Sequence, residues 1–288
     1  MKLQRHHKII IIITAIICLS GAVALISFSF HRDNVLKIFF LDVGQGDAIL
    51  IQTPTHQNIL IDGGPDNSVL AKLGQYLPWL SRDLDLVILT HPHADHLYGL
   101  IEVLKRYQVK KIINTNINYN GASYKAFLDI AQNKNIPVSN AYYGQIINFS
   151  ATCFLKILYP LTAEKITKYK SLNSASIVSQ LNCAQTKTLL TGDIDNISAQ
   201  KIYGNNIDLH SDILKASHHG SAEGNDLNFL QQIKAPIAVI SVGAKNKFGH
   251  PNAAAINNLN KLKTKIWRTD QNGDIIFIIK NGLIYTKN

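Results

Sequence analysis

The sequence predicts an α/β protein of four layers, two β-sheets packed face to face with helices on both outer faces, preceded by one N-terminal transmembrane helix. Three observations predict it. Residues 9–30 carry no charge; two β-rich stretches follow, each running on into alternating strand and helix patterns; and no Pro-, Ser- or Gly-rich linker divides residues 32–288. A chain of 288 residues, 46% hydrophobic and 17% charged, is long and apolar enough to bury a large core, which excludes intrinsic disorder. Three cysteines, Cys18, Cys153 and Cys183, are too few for a disulfide scaffold or a cysteine-ligated zinc cluster.

Lys2, Arg5 and Lys8 precede Ile9–Phe30, whose 22 residues as a helix span about 33 Å, enough for a hydrocarbon core of about 30 Å. The basic flank keeps the N-terminus cytoplasmic and places residues from about 32 onward outside, in a single-pass membrane protein. The alternative is a signal peptide cleaved near Ala24, giving a secreted or periplasmic protein, because Ala22-Val23-Ala24 has the small-x-small form of a cleavage site. Two regions are expected: a flank and anchor over 1–31, lying in the bilayer through residues 9–30, and a hydrolase-sized domain over 32–288.

The first β-rich stretch comprises strands Leu36–Asp42, Ala48–Gln52 and Asn58–Asp62, with Pro54-Thr55-His56-Gln57 turning between the last two. A helix over Ser68–Leu80, a strand Leu84–Thr90, a helix to Tyr107, a strand Lys111–Asn114 and a helix Tyr124–Asn133 continue it. Phe154–Tyr159, Ala175–Asn182 and Lys187–Thr191 form a second run of strands. It is followed by helix Ile197–Tyr203, strand Asp212–Ala216, helix Asn225–Ile233, strand Ile237–Val242 and helix Ala253–Leu262. A hairpin, Ile275–Ile279 and Leu283–Thr286, closes the chain around Lys280-Asn281-Gly282.

The chemistry sits at strand ends. The buried-strand pattern Leu84–Leu89 runs into Thr90-His91-Pro92-His93-Ala94-Asp95-His96, three imidazoles and a carboxylate within six residues. The carboxyl ends of strands are where α/β proteins place ligands, and neutral imidazole with carboxylate suits zinc, manganese or iron. His91 and His93 project alike from an extended segment, while Asp95 and His96 open the following helix. Three more strands end in residues of this type: Asp62-Gly63-Gly64, Thr191-Gly192-Asp193, and Ser217-His218-His219-Gly220-Ser221.

These elements, in this order, resemble the metallo-β-lactamase superfamily, whose signature is the HxHxDH element at 91–96. More narrowly, Leu41-Asp42-Val43-Gly44-Gln45-Gly46-Asp47-Ala48, residues 217–221, Phe248-Gly249-His250-Pro251 and 267–273 resemble the extracytoplasmic hydrolase domain of ComEC-type competence proteins. The resemblance covers residues 36–280. It implies one or two divalent ions, zinc or manganese, held by His91 and His93 on one side, by Asp95, His96 and His219 on the other, with Asp193 bridging. It also implies that Asp62 orients a ligand imidazole and that Asp95, His218 and His250 take part in catalysis. Superfamily hydrolases usually carry another ligand His between HxHxDH and the bridging Asp, but no His occurs from 97 to 192. Asn173 and Ser176 stand there instead, which implies weaker zinc, a preference for manganese, or one occupied site.

The function implied is metal-dependent phosphodiester hydrolysis of DNA during uptake. The alternatives are hydrolysis of a small ester or lactone, or a catalytically weak module that binds DNA. ComEC proteins add a multi-helix channel, so a separate channel protein is the implied partner. A formal charge of +10 agrees with a DNA partner without selecting one. Lys110, Lys111, Lys245 and Arg268 are the candidate nucleic-acid contacts.

Overall fold

The computed structural model describes residues 7, 11–21, 35–78, 81–162, 169 and 171–287. They belong to two compact units, Met1–Asn34 and Val35–Asn288. In the first, residues 11–21 form an exposed helix, α1. Among the described residues no helix is long and apolar enough to cross a membrane. The expected single-pass anchor, and the membrane placement read from it, are therefore corrected. Ile9, Ile10 and residues 22–30 of that expected span, with the cleavage site near Ala24, lie outside the described residues.

The second unit opens with β1 (Leu36–Phe40), β2 (Ile49–Gln52), β3 (Asn58–Ile61), α2 (Ser68–Tyr76), β4 (Asp83–Leu84) and β5 (Leu86–Leu89). Next come α3 (Ala94–Arg106), β6 (Gln108–Val109), β7 (Ile112–Asn114), α4 (Ala122–Asn133) and β8 (Val138–Asn140). Its second half holds β9 (Ile146–Ser150), β10 (Cys153–Tyr159), β11 (Val178–Cys183), β12 (Thr186–Leu190), α5 (Asn196–Gly204) and β13 (Ile213–Lys215). Then follow α6 (Leu227–Ile233), β14 (Ile237–Ile240), α7 (Ala253–Lys261), β15 (Lys265–Arg268), α8 (Thr269–Asn272), β16 (Ile275–Lys280) and β17 (Leu283–Lys287).

An eight-stranded sheet runs β17-β16-β1-β2-β3-β5-β7-β8, a seven-stranded sheet runs β15-β14-β13-β12-β11-β10-β9, and β4 pairs β6 separately. Side-chain alternation sorts the strands into layers. Leu36, Ile38 and Phe40 of β1 enter a core shared with Leu155, Ile157, Leu190, Ile213 and Val239 of the other sheet. Phe39 turns to the opposite face, where α2, α3 and α4 supply Val69, Leu73, Leu100, Val103 and Phe127. Leu189, Leu214, Ala238 and Ile240 face outward against α5, α6 and α7 through Ile202, Phe229, Leu230 and Leu259. Strands apolar on both faces are what a sheet sandwiched between helices and a second sheet requires. The four-layer αββα sandwich expected from the sequence is the fold observed.

Several boundaries differ. The helix expected to reach Leu80 ends at Tyr76, because Leu77 precedes Pro78 and takes an extended conformation. α6 begins at Leu227 because the Asp226 carboxylate caps it, accepting from the Phe229 N–H at 3.1 Å. The start of the strand expected over Ala175–Asn182 is a 3₁₀ turn, Leu172–Ala175. β4, β6, β8, β9 and β15 were not expected; two have only two residues and β9 is partly exposed, so none shows a clean apolar period. One pairing was not expected. Cys153 and Cys183 are directly opposite in the β10–β11 register and form a disulfide.

The β3–β5–β7 and β12–β13–β14–β15 pairings are parallel. Within each sheet the carboxyl ends of these strands therefore share one edge, and the site is assembled there.

Candidate metal centre

The loop after β5 carries His91 and His93, and α3 begins immediately afterward with Asp95 and His96 in its first turn. Two close backbone contacts seat this segment. The Gly63 N–H donates to the His96 carbonyl at 2.8 Å, and the Gly99 N–H donates to the Gly64 carbonyl at 3.1 Å. A Cβ on Gly99 would lie 1.8 Å from the Gly63 oxygen, so α3 can approach the end of β3 only without a side chain there. Gly46 has the same role toward Asp95, whose carbonyl would be 2.2 Å from an added Cβ.

The imidazoles converge on one carboxylate oxygen. Asp193 Oδ2 lies 3.2 Å from His96 Nε2, 3.4 Å from His219 Nε2, and 3.9 Å from both His91 Nε2 and His218 Nε2. Asp95 Oδ2 is 3.3 Å from His219 Nε2. Asp95, His96, Asp193 and His219 each offer one ligand atom within 4.8 Å of the others. His91 Nε2 and His93 Nδ1 face each other at 3.0 Å. His219 Nδ1 meets the Ser241 carbonyl at 2.9 Å, which leaves its Nε2 turned to the carboxylates. Consecutive left-handed conformations, φ 46° at His218 and 54° at His219, aim the two rings differently, and non-glycine residues adopt this conformation only when surroundings enforce it.

The supporting residues lie one contact further out. Asp62 Oδ2 is 2.8 Å from His96 Nδ1 and accepts from the Thr90 hydroxyl at 2.7 Å, fixing the ring as carboxylates behind ligand imidazoles do. Ser176 Oγ accepts the Asp193 N–H at 3.2 Å, and Asn173 Nδ2 reaches His218 Nε2 at 3.3 Å. The segment standing where a further His was expected thus packs on His218 and on the Asp193 backbone. The His250 ring lies 5.3 Å from that of His218.

Two central residues escaped sequence reasoning. Lys215, fully buried, places Nζ 2.5 Å from Asp47 Oδ2 and 3.7 Å from Asp193 Oδ1. Lysine in the otherwise apolar Ile213-Leu214-Lys215-Ala216 was the available signal, as was the acid following Gly44-Gln45-Gly46 for Asp47. Not every expected contact gathers here. Lys110 pairs with Asp85 at 2.7 Å, at the amino end of β5. Lys111 precedes β7, which runs parallel to β5, so both lysines sit at the opposite sheet edge from the site. Arg268 forks onto Asp270 at 3.0 and 2.6 Å. Lys245 is exposed in the loop after β14.

Electrostatics divide the imidazoles. Burial lowers the His91 pKa well below the usual histidine value, and the neighbouring His96 charge adds to this. Burial opposes charge on His96 and His219 too, but Asp193, with Asp62 for the former, outweighs it and holds both well above that value. The Asp193 carboxyl is correspondingly held far down, its burial overcome by His219 and His96. His250 is lowered to about 4 by burial and by the charges of His218 and His219. Asp47 Oδ1, Asp193 Oδ1 and His219 Nε2 are buried without hydrogen-bond partners. Buried polar atoms left unsatisfied are costly, and these are ligand-type atoms facing one small volume, so the donor set fits a divalent cation.

A sequence profile described as the metallo-β-lactamase superfamily matches residues 41–244. The chain belongs to the metallo-β-lactamase superfamily. Among relatives of this superfamily member, ComE operon protein 3 of Bacillus subtilis is 27% identical over 263 residues, covering 85% of this chain and 33% of that protein. Recombination protein 2 of Haemophilus influenzae is 28% identical over 240 residues, covering 82% and 28%. Competence protein ComA of Neisseria gonorrhoeae is 26% identical over 257 residues, covering 87% and 33%. The chain thus spans about a third of the length of these curated relatives, and the ComEC-like resemblance stands. Two solved structures share the fold. The metallo-β-lactamase fold protein YhfI of Bacillus subtilis superposes with a TM-score of 0.53 at 14% identity, over 88% of this chain and all of that one. The long form of RNase Z from yeast gives 0.54 at 12% identity, over 87% of this chain and 42% of that one.

Proposed function

We propose that this superfamily hydrolase is a metal-dependent phosphodiesterase that cleaves DNA, in a role allied to DNA uptake beside a separate channel protein. The observation that carries the reading is the convergence of His91, His96, His218 and His219 on one Asp193 oxygen, with ligand-type atoms left unpaired around it. His91 and His93 would hold one cation; Asp95, His96 and His219 a second; Asp193 would bridge them. Divalent ions bound there supply Lewis-acid activation of water and neutralise charge on a phosphoryl group. Asp62 holds the His96 ring in place, Lys215 favours the ionised form of Asp47, and His219 and His96 favour that of Asp193. His218 and His250, both with lowered pKa values, are neutral near pH 7 and fit hydrogen bonding to a phosphate oxygen. The likeness to Competence protein ComA supports a role in competence, with which a DNA substrate is consistent.

The test is metal analysis of the full chain, with hydrolysis of DNA, bis-p-nitrophenyl phosphate and nitrocefin in added zinc or manganese. The double variant Asp95→Ala, Asp193→Ala should lose metal and phosphodiester turnover while keeping its circular dichroism spectrum. Equal cleavage of DNA by wild type and variant sinks the reading. Turnover of nitrocefin alone selects the small-substrate alternative.

A further inference from the structure

Phe248 is 56% exposed, although its ring lies beside the site. Lone exposed aromatics are ordinary on protein surfaces. This one is presented by a built loop. The Asn246 side chain donates to the carbonyls of Gly243 and His250 at 2.9 and 2.6 Å and accepts from the N–H groups of Phe248 and His250 at 3.1 and 3.0 Å. One amide therefore fixes the turn that carries both rings. The Phe248 and His250 rings stack at an interplanar angle of 26° with centroids 6.0 Å apart. His250 in turn lies 5.3 Å from His218, whose Nε2 is 3.9 Å from the central Asp193 oxygen. A ladder of rings thus leads from solvent to the ligand cluster.

The surroundings of the outermost ring are cationic. Lys247 Nζ sits 5.6 Å from the Phe248 centroid, and Lys245 is exposed two residues earlier. Lys247 lies over one face of the ring, a contact that a stacking base would replace, and among the described residues no salt bridge involves Lys245 or Lys247. An aromatic face flanked by unpaired lysines is the combination that binds an unpaired nucleobase by stacking and its phosphates by charge. A base inside a duplex is already stacked on its neighbours and cannot offer its face to a protruding ring.

We propose that Phe248 is a stacking platform for an unpaired nucleobase next to the phosphodiester held at the cluster, with Lys245 and Lys247 contacting the adjoining phosphates. This rests on the reading of the site as a DNA phosphodiesterase and assigns it a subsite for single-stranded nucleic acid. The platform acts on binding, and the bond-breaking groups remain those of the metal centre.

The test measures binding of fluorescent twelve-nucleotide probes to the full chain and to Phe248→Ala, Phe248→Leu and Phe248→Trp: a single strand, an abasic strand of equal length, and a blunt duplex. Removing one base–aromatic stack should weaken single-strand binding about 5- to 150-fold. Leu should behave like Ala, Trp should restore binding to within about threefold, and abasic binding should not change. Unaltered single-strand binding by Phe248→Ala overturns the proposal, as does an equal loss for abasic and base-bearing strands, which would mark a charge effect. Preference of the wild type for blunt duplex, insensitive to Phe248, overturns it in favour of a double-stranded occupant. Hydrolysis of bis-p-nitrophenyl phosphate separates the two readings. If it proceeds while no strand binds through Phe248, the platform fails alone; if single strands bind through Phe248 without phosphodiester turnover, the hydrolase assignment fails and the platform stands.

Discussion

Lys215 offers the sharpest test of how the centre is held together. Its ammonium is fully buried, 2.5 Å from Asp47 Oδ2, 3.7 Å from Asp193 Oδ1, and within 3.3 Å of the Gly192 carbonyl. Replacing it with Met keeps the volume of the stem and removes the charge, so Asp47, itself only 1% exposed, loses its nearest cation and keeps only the imidazoles of His219 at 3.4 Å and His96 at 4.0 Å. Breaking a buried pair by deleting one partner costs about 3–5 kcal/mol. For a unit the size of Val35–Asn288, where each kcal/mol moves the midpoint by roughly 2–4 °C, Lys215→Met should lower Tm by about 6–20 °C. The assay is thermal unfolding of chelator-treated full chain, followed by circular dichroism. Asp47→Asn should also destabilise, yet the double variant should lose at least about 1 kcal/mol less than the two single losses combined, because neither charge is then stranded. A drop in Tm below about 2 °C for Lys215→Met, or strict additivity in the cycle, would refute this account of the pair.

Other outcomes follow from the same geometry. Asp62→Ala removes the carboxylate behind His96 and should weaken metal affinity about 10- to 100-fold by competition with a chromogenic chelator. Gly99→Ala places a methyl group against the Gly63 backbone, forcing α3 from β3; about 1–3 kcal/mol of stability should be lost in urea titration, with metal binding impaired alongside. In metal-free protein the raised imidazoles of His96 and His219 contribute stability that is full below about pH 6.5 and lost as pH rises through their folded values. The lowered carboxyls of Asp193 and Asp95, the latter at about 2, contribute above about pH 3.8 and lose it as pH falls. The lowered imidazoles of His91, His93, His218 and His250 lose stability as pH falls below about 6.5, so the chelated protein's Tm should peak near the upper of those limits. Zinc or manganese binding must expel protons from His96 and His219, so calorimetric heats should vary with buffer ionisation enthalpy; buffer-independent heats would contradict the assignment.

The fold was legible because each layer writes its own period into the chain. Leu36, Phe39 and Phe40 of β1 already show a strand apolar on two faces, and the apolar turns of α3 mark its inward side. HxHxDH and Asp193 were legible because ligand-type residues at strand ends have few structural explanations. Lys215 was not, since one lysine in a strand reads as an edge residue until the opposing sheet brings Asp47 to it. The position of Lys110 and Lys111 was not legible either: sequence proximity to α3 says nothing of which end of a parallel strand they occupy. The disulfide needed pairing register, which spacing alone does not supply. For the N-terminal stretch, composition described a spanning helix that the described residues do not form.

The position of β1 between β2 and β16 bears on how this domain can be excised. The family profile covers residues 41–244, so a fragment cut to those limits would discard β1, β15, β16 and β17 together. Its first sheet would then end on Ile49, Leu50 and Ile51, a bare apolar edge of the kind that recruits other strands. Homology limits and folding limits are different boundaries in this protein. The hairpin β16–β17 belongs to the first sheet although it follows the whole of the second in sequence, so the sheet that opens the domain stays incomplete until after the other has been made.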